Sequence, residues 1–297
     1  MGEAVTPRVA IIGAGPAGLT AAQHLLAHPS APGVVLIDKG RHAGGRLCTR
    51  TLNLPDGTRA RFDLGPQVLY ARPFGNRPAE HRLVALANRQ TDERLHEHRI
   101  VGRIGGPDEE AVVDVGGLSL IGGMREWAFR QVTAHRGRIE LHDHTLAEKL
   151  ERTGDGWRVH TRSLRDDLCT TVSANALIVT PPLPQALALL AGNGVALPDE
   201  LRDALRAVHY TRCVALYGMF AGNGPLQPGG VWFRDGPLEW VTDNARKGVS
   251  EVGPAVTALS SNEWAKANWH EPDGRLIELL LPRLHPWVGD PLDPAQV

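Results

Sequence analysis

Apolar and polar positions near the start of the chain form two uniformly apolar runs separated by a glycine-rich stretch. Residues 9–12 and 34–37 are apolar at every position, a pattern typical of parallel strands buried on both faces. Between them, Gly13, Gly15 and Gly18 have the GxGxxG spacing and lead into an apolar helix. The pattern predicts a strand, a tight turn, a helix and a second parallel strand.

The next segments predict two helices and a short extended stretch. Residues 62–67 predict an extended segment that ends in a turn. Apolar positions between 80 and 95 recur with helical spacing and predict a surface helix. The paired Gly122 and Gly123 precede a predicted helix over residues 125–135.

The middle of the chain predicts a hairpin followed by a returning strand. Alternating stretches at 139–142 and 157–161 flank a glycine turn at 153–156, which predicts a β-hairpin. Residues 176–179 are uniformly apolar and predict a central parallel strand buried on both faces. A helix is predicted to start at residues 183–190.

This order of elements is that of a dinucleotide-binding sheet interrupted by a second lobe. Strands are predicted in that lobe at 214–220, 231–234 and 256–259. The predicted fold class is therefore α/β, a Rossmann-type domain with an inserted, mixed α+β lobe. We place the first domain at residues 1–75 and 110–195, and the second at 76–109 and 196–297.

Composition and charge exclude several classes of protein. The 297-residue chain is 42% hydrophobic and 22% charged, as in ordinary globular proteins. Its formal net charge of −1 gives no general attraction to nucleic acid or an anionic membrane, so we expect neither partner. No run reaches the ~20 apolar residues that cross a bilayer, and no signal-peptide pattern precedes the first strand. We expect a cytoplasmic protein.

Cysteine and histidine positions indicate neither a disulfide framework nor a metal site. Cys48, Cys169 and Cys213 are widely spaced and lack any CxxC pairing. Histidines alternate at 96 and 98 and at 142 and 144, but such spacing on a strand usually marks an exposed face. We therefore predict no bound metal.

The glycine-rich turn is the candidate nucleotide site. Gly13 permits the tight turn, Gly15 lets the backbone approach a pyrophosphate, and Gly18 lets the helix pack on the strand. Asp38 ends the second predicted strand, where a carboxylate can accept ribose hydroxyls, although a helix N-cap is an alternative role. Arg46, in the basic loop that follows, either binds the phosphates or is simply solvated.

Several segments together resemble the renalase family of FAD-dependent oxidoreductases, a branch of the amine-oxidase-like flavoproteins. Residues 38–41 with 44–46 are similar to the family's DKGR and GGR motifs, and residues 62–67 are similar to its FDxGxQ motif. Further similar segments are residues 11–22, 182–190, 240–247 and 261–264.

The resemblance implies FAD bound along the first Rossmann half. It implies Ala14, Gly15 and Ala17 at the pyrophosphate, with Asp38 at the ribose and Arg46 at the phosphates. It implies Gln67 and Val68 at the flavin side. The candidate cofactor-binding residues also include Gly13, Gly18, Lys39 and Gly45, although Lys39 is equally well read as an exposed charge. No cysteine or histidine is placed to hold the flavin covalently, so we expect non-covalent FAD.

The resemblance also implies a reaction. Members of the family oxidise off-pathway dihydronicotinamide isomers of NAD(P) and pass the electrons to oxygen, which makes a reduced nicotinamide nucleotide and oxygen the expected partners. Trp232, Asn244 and Lys247 are the candidate catalytic residues. Trp232, like Trp240, could instead be core packing, and Asn244 could be part of a hairpin turn.

Departures from the family pattern leave other functions open. Leu259 stands where the family has a histidine, Pro66 replaces a small residue, and Val68 replaces an aromatic residue. The family's last segment, which caps the flavin, has no counterpart in this sequence. One alternative is therefore a shortened homologue that binds FAD weakly or is catalytically inactive. A second alternative is a flavin amine oxidase-like enzyme.

Overall fold

The structure is a computed structural model that describes residues 7–70, 95–103, 111–221, 226 and 230–290. The chain divides into two compact units. Unit 1 contains residues up to 47 together with 128–210, and unit 2 contains residues 48–127 together with those from 211 onward. The domain boundaries given by the sequence stay a prediction.

The elements follow one another in this order. The first half contains β1 (Arg8–Ile12), α1 (Pro16–Leu26), β2 (Gly33–Ile37), β3 (Thr49–Asn53), β4 (Arg59–Asp63), β5 (Leu69–Tyr70), β6 (Leu95–Arg103), β7 (Ala111–Leu120), α2 (Met124–Ala134) and β8 (Ile139–His142). The second half contains β9 (Thr145–Thr153), β10 (Gly156–Ser163), β11 (Cys169–Ala174), β12 (Ala176–Val179), α3 (Leu183–Gly192), α4 (Asp199–Arg206), β13 (Ala215–Met219), β14 (Val231–Phe233), β15 (Leu238–Asp243), β16 (Ala255–Ser260), α5 (Asn262–Asn268) and α6 (Asp273–Val288).

Unit 1 is built on a parallel four-stranded sheet in the order β12-β1-β2-β8. Its inner strands β1 and β2 are almost wholly buried, as their uniformly apolar sequences predict. A separate antiparallel sheet in the order β11-β10-β9 packs its apolar side chains with those of β1 and β2. The predicted strand–helix–strand unit and the α/β fold class are confirmed.

Two strand assignments in unit 1 differ from the prediction. Residues 139–142 form β8, which pairs in parallel with β2, whereas the hairpin joins β9 to β10. Residues 176–179 form a parallel strand as expected, but β12 lies at an edge of the sheet and no residue in it is fully buried. Local alternation identifies a strand, but it does not encode the strand's neighbours, and this is why both assignments were wrong.

Unit 2 contains a seven-stranded sheet in the order β13-β16-β15-β14-β6-β7-β5 and the hairpin of β3 and β4. The strands predicted near 214–220, 231–234 and 256–259 are confirmed as β13, β14 and β16. β15 and α6 were not predicted. α6 buries Leu280, Leu284 and Trp287 in the core of the unit, where Trp287 meets Phe233 edge-on at 4.9 Å between ring centroids.

The predicted helices have different outcomes. The helix predicted at 125–135 is confirmed as α2, which begins directly after the two glycines. The surface helix predicted over 80–95 falls almost entirely outside the described residues. Among the helices in the described ranges, none combines the length and apolar character needed to span a membrane.

Candidate functional site

The glycine-rich turn between β1 and α1 has the geometry that its spacing predicts. Gly13 has a φ of +99°, a conformation that L side chains rarely adopt. A Cβ on Gly18 would lie 1.9 Å from the carbonyl oxygen of Gly13, so only glycine permits this packing of helix on turn. The turn is therefore fixed in shape by backbone contacts alone.

Gly15 is the N-cap residue of α1 and leaves the helix end open. Glycine has no side chain that could cap the helix, and Pro16 occupies the first helical position. The first helical bond runs from the Leu19 amide to the Gly15 carbonyl at 2.9 Å. The amides of Ala17 and Gly18 therefore have no acceptor within the helix, and they lie at the positive end of its dipole.

A second pair of glycines lies against this helix end. The Gly44 amide donates to the Ala14 carbonyl at 2.8 Å, which ties the basic loop to the glycine-rich turn. Gly45 has a φ of +54°, and a Cβ on it would lie 3.1 Å from the Cα of Gly15. A Cβ on Gly15, by contrast, would meet only the Gly45 Cα, at 3.9 Å. Two bare backbone segments thus line the open end of α1.

Asp38 joins the two loops through its carboxylate. One oxygen accepts from the Ala14 amide at 2.6 Å, and the other accepts from the Gly40 amide at 2.7 Å. An ionised carboxylate has about four acceptor positions, so each oxygen can still accept a ribose hydroxyl. The residue is half-buried at the end of β2, where the sequence placed it.

The remaining predicted cofactor residues of unit 1 are exposed. Ala17, Lys39 and Arg46 all present their side chains to solvent. The guanidinium of Arg46 lies over the ring of Tyr210, 5.8 Å from its centroid. The structure thus brings the glycines, Ala14 and Asp38 together, while Lys39 and Arg46 lie on the surface of the same loop.

These residues fit the adenosine diphosphate part of FAD. A pyrophosphate needs bare backbone at close range, amide donors and a favourable dipole, and the helix end beside Gly15 and Gly45 provides them. The ribose needs an acceptor at the end of the second strand, and Asp38 has spare lone pairs there. The role of these residues in binding stays a prediction.

Unit 2 holds a buried polar cluster that includes three of the predicted site residues. We call it the Asp63–Lys247 cluster, and it comprises Thr49, Asp63, Gln67, Thr242, Asn244 and Lys247. All of its members are less than a tenth exposed, and Lys247 is 0% exposed. Charged side chains are almost never fully buried unless they are paired.

Lys247 is held by an acid and by one neighbouring residue. Its Nζ donates to the main-chain oxygen of Gln67 at 3.0 Å and to Gln67 Oε1 at 3.1 Å. Its Nζ also lies 3.9 Å from Oδ2 of Asp63. Burial lowers the pKa of Lys247 to about 8, against the opposing pull of Asp63 and Asp243.

Asp63 is the carboxylate of this cluster. Its Oδ1 accepts from Thr49 Oγ1 at 2.6 Å and from the Met124 amide at 2.9 Å. Burial raises the pKa of Asp63, and Lys247 is the main group that opposes this rise. The sequence analysis did not identify Asp63 as a functional candidate. Its position between the apolar residues Phe62 and Leu64 could have indicated a buried acid.

The amide side chains of Gln67 and Asn244 bond within the protein. Gln67 Nε2 donates to the carbonyls of Asp63 and Gly65, and its Oε1 accepts from Thr242 and Lys247. Asn244 donates to the Ala255 carbonyl and to Thr257 Oγ1. Its Oδ1 accepts from the Asp63 amide. Both amides thus hold the local fold, and direct contact of either side chain with a ligand stays a prediction.

The other predicted residues of unit 2 lie in its sheet or beside the cluster. Val68 is buried next to Gln67 in the chain. Trp232 is only partly buried and lies opposite Trp240 in the pairing of β14 with β15. Leu259, at the position of the family's histidine, lies on β16 opposite Trp240.

The histidines among the described residues form no metal site. His142 bonds to Glu140 at 2.6 Å, and the two lie on the same face of β8. Over the described ranges, no group of three histidine, cysteine, aspartate or glutamate side chains is arranged to hold a metal ion.

Comparisons with known proteins agree with this architecture. The family described as NAD(P)-binding Rossmann-like domain matches residues 11–83, which contain the glycine-rich turn and Asp38. A protein from Exiguobacterium sp. 255-15, provisionally named protoporphyrinogen oxidase, is 16% identical with a TM-score of 0.68. The match covers 98% of this chain and 85% of that one.

Two further solved structures have the same fold. Wild-type putrescine oxidase bound to putrescine is 15% identical with a TM-score of 0.62, and the match covers 97% of this chain and 83% of that one. An oxidoreductase from Methanosarcina mazei is 13% identical with a TM-score of 0.63, with 96% and 85% covered. At these identities the likeness shows the fold, which is a Rossmann-type α/β domain with additional antiparallel sheets.

Proposed function

We propose that this protein is an FAD-dependent oxidoreductase that binds its cofactor non-covalently, with the adenosine diphosphate part of FAD on unit 1. The observation that carries the proposal is the close approach of Gly15 and Gly45 at the open end of α1, beside the Asp38 carboxylate. A pyrophosphate on the helix end and a ribose on the carboxylate account for all three features at once.

Each candidate residue has a defined task in this proposal. The amides near Gly15 and Ala17 would bind the pyrophosphate, Asp38 would bind the ribose, and Arg46 would reach the phosphates from the loop. Gln67 and Val68 would lie at the flavin side. Bound FAD would supply the hydride-accepting chemistry, which leaves binding, orientation and polarity to the protein.

We further propose a reduced nicotinamide nucleotide as the hydride donor and oxygen as the final acceptor. The support for this step is the resemblance of residues 38–46 and 62–67 to the renalase family motifs. Hydride transfer from a dihydronicotinamide requires no proton to be removed from the donor. Trp232, Asn244 and Lys247 would therefore act by shaping and polarising the substrate site.

A spectroscopic experiment tests the proposal. Protein purified with added FAD should be yellow, and anaerobic addition of a dihydronicotinamide isomer should bleach the flavin bands. Admission of oxygen should then restore them and release peroxide. Flavin that precipitates with the acid-denatured protein would contradict non-covalent binding, and protein that never takes up FAD would contradict the proposal as a whole.

An amine oxidase-like reaction is the second candidate. The observation that favours it is the fold shared with putrescine oxidase over 97% of this chain. Bleaching by an amine such as putrescine, with no response to dihydronicotinamides, would decide for this alternative. Bound FAD that neither donor reduces would indicate a flavin-binding homologue without turnover.

A further inference from the structure

The buried ion pair of unit 2 is not explained by stability. Asp63 and Lys247 are both 0% exposed, and their charged atoms are 3.9 Å apart. Desolvation of two charges costs so much that apolar residues of similar volume are often equally or more stable. A pair of this kind therefore indicates a task other than holding the fold together.

Several distant segments meet at this pair. The Asp63 carboxylate contacts Thr49 of β3 and the first amide of α2. Lys247, in the loop after β15, bonds to the 63–67 turn through Nζ, and its carbonyl accepts from Ser119 of β7 at 2.7 Å. Loss of the pair would therefore loosen the turn, which would keep its bonds to Thr242 and Asn244.

The hydrogen bonds of Lys247 point to the residue that it controls. Two of the three Nζ protons are used by the main-chain and side-chain oxygens of Gln67. Oδ2 of Asp63 is buried and makes no hydrogen bond of its own. Oδ2 of Asp63 is thus the nearest negatively charged atom to the ammonium, and its lone pairs are not used by other donors. Its charge attracts Nζ toward the cluster.

We propose that Asp63 is a positioning residue, whose carboxylate holds the ammonium of Lys247 against the main-chain oxygen of Gln67 and thereby fixes the 63–68 turn, which carries two of the residues proposed for FAD binding. This inference rests on the proposed function, in which Gln67 and Val68 lie at the flavin side. Asp63 itself does not contact the cofactor in this account.

The charged groups around the pair are few. Lys247 faces Asp63 at the end of β4 and Asp243 at the end of β15, and Asp63 also feels Arg125 at the start of α2. Arg246, which lies 3.5 Å from Asp243, is half exposed. Of the two buried carboxylates that act on Lys247, Asp63 has the larger effect on its pKa, ahead of Asp243.

The state of Lys247 can be followed in the protein without cofactor. The chain has four lysines, Lys39, Lys149, Lys247 and Lys266, and all but Lys247 are exposed. With ¹³C-labelled lysine, the side-chain resonance of Lys247 should titrate with a midpoint near pH 8. In Asp63→Asn, which keeps an oxygen for Thr49 and Met124, its midpoint should fall by about 1–3 pH units. Thr161→Val removes a neutral hydrogen bond of a buried side chain, to Thr170 in unit 1, and should leave the midpoint unchanged.

FAD binding supplies the second readout. Asp63→Asn should raise the Kd for FAD on the order of tenfold, because the turn loses its hold. Lys247→Met should do the same, which keeps the test available if Asp63→Asn does not fold. The double variant, Asp63→Asn with Lys247→Met, should recover the lost melting temperature, because no unpaired charge is then buried. It should not recover FAD affinity, because the turn still lacks its bonds to the Lys247 ammonium.

Each outcome has one meaning. An unchanged lysine midpoint or unchanged FAD affinity in Asp63→Asn would overturn the inference, as would a double variant that recovers both stability and affinity. Wild-type protein that binds no FAD would refute the proposed function and with it the role toward FAD. The lysine titration would still show whether Asp63 holds Lys247.

Discussion

Asp38 is a carboxylate with a structural role and a proposed binding role at one position. Its two oxygens already accept the amides of Ala14 and Gly40, so the residue orders the turn before any ligand arrives. A ribose that bonds to the same oxygens therefore meets a fixed acceptor, which reduces the entropic cost of binding.

Asp38→Ala should weaken FAD binding by about 1–3 kcal/mol, because a charged hydrogen bond is lost. It should also lower the free energy of unfolding, because two amides lose their acceptor. Asp56→Ala is the matched control, since Asp56 likewise accepts from a backbone amide, that of Thr58, in the turn between β3 and β4. Titration with FAD and urea unfolding should show both losses in Asp38→Ala and only the stability loss in Asp56→Ala.

Substitutions at Gly122 and Gly123 can separate the cost of a strained backbone from the cost of a steric clash. Both have positive φ, +85° and +101°, but a Cβ on Gly122 would meet only an Arg61 nitrogen at 3.6 Å. A Cβ on Gly123 would lie 2.5 Å from Thr49 Oγ1 and 2.8 Å from Asp63 Oδ1, both buried.

Gly122→Ala should therefore lower the free energy of unfolding by about 1–2 kcal/mol, the cost of the left-handed backbone alone. Gly123→Ala should cost at least twice as much, because the Asp63–Lys247 cluster must also shift. Urea unfolding of the two variants measures the difference. Equal losses would show that the cluster is not packed against Gly123 as described.

At the scale of elements, α6 shows why a helix can be hidden in a sequence. Pro282 and Pro286 lie inside it, and internal prolines normally predict the end of a helix. Leu280, Leu284 and Trp287 nevertheless repeat at the spacing of one helical face and enter the core of unit 2. Burial of that face outweighs the hydrogen bonds that the prolines remove.

Leu284→Ala should lower the free energy of unfolding by about 2–5 kcal/mol, as expected for a fully buried leucine. Ile277, on the same helix, is 45% exposed, so Ile277→Ala is the matched control. It should lower the free energy of unfolding much less. Denaturant titration of both variants measures the difference. Similar losses in the two would mean that α6 does not bury the face assigned to it.

The strands of unit 1 show what local patterns can and cannot provide. Uniform apolar runs correctly predicted β1 and β2, because burial on both faces requires them. The parallel pairing of β12 was also predicted correctly, although this strand is not buried. The partner of β8 and the edge position of β12 depend on contacts between residues far apart in the chain, and no local pattern encodes them.

For the whole molecule, the free energy of unfolding should change with pH as Lys247 titrates. The pKa of Lys247 is lowered from 10.5 to about 8 in the folded protein. Between those values the unfolded chain binds a proton that the folded protein does not, so the free energy of unfolding gains a contribution that rises with pH. Below about pH 8 the group imposes its full penalty.

Relative to Lys247→Met, the wild-type free energy of unfolding should therefore increase between about pH 8 and 10.5, by at most roughly 1.4 kcal/mol per pH unit. Urea unfolding at a series of pH values tests this, and the variant cancels the titration of groups that do not interact with Lys247. Parallel curves for the two proteins would contradict the buried position of Lys247.

The sequence was sufficient for the fold class and for the shape of the glycine-rich turn, since both depend on short local motifs. It was not sufficient for the Asp63–Lys247 cluster. Gln67 and Lys247 meet across 180 positions of the chain, and Asp63 becomes a partner of both only when the sheet of unit 2 has formed. Burial of polar side chains depends on tertiary contacts that no single segment specifies.

Equilibrium titration of the purified protein with FAD, alongside Gly15→Val, tests the central claim most directly. Gly15 has an ordinary φ of −78°, and a Cβ there would meet only the Gly45 Cα at 3.9 Å, so the backbone itself accepts a side chain. The melting temperature of the variant, measured alongside, shows whether it is folded. We expect saturable one-to-one binding by the wild type and none by Gly15→Val. Wild-type protein that fails to bind FAD, or a folded variant that binds it equally well, would contradict the account.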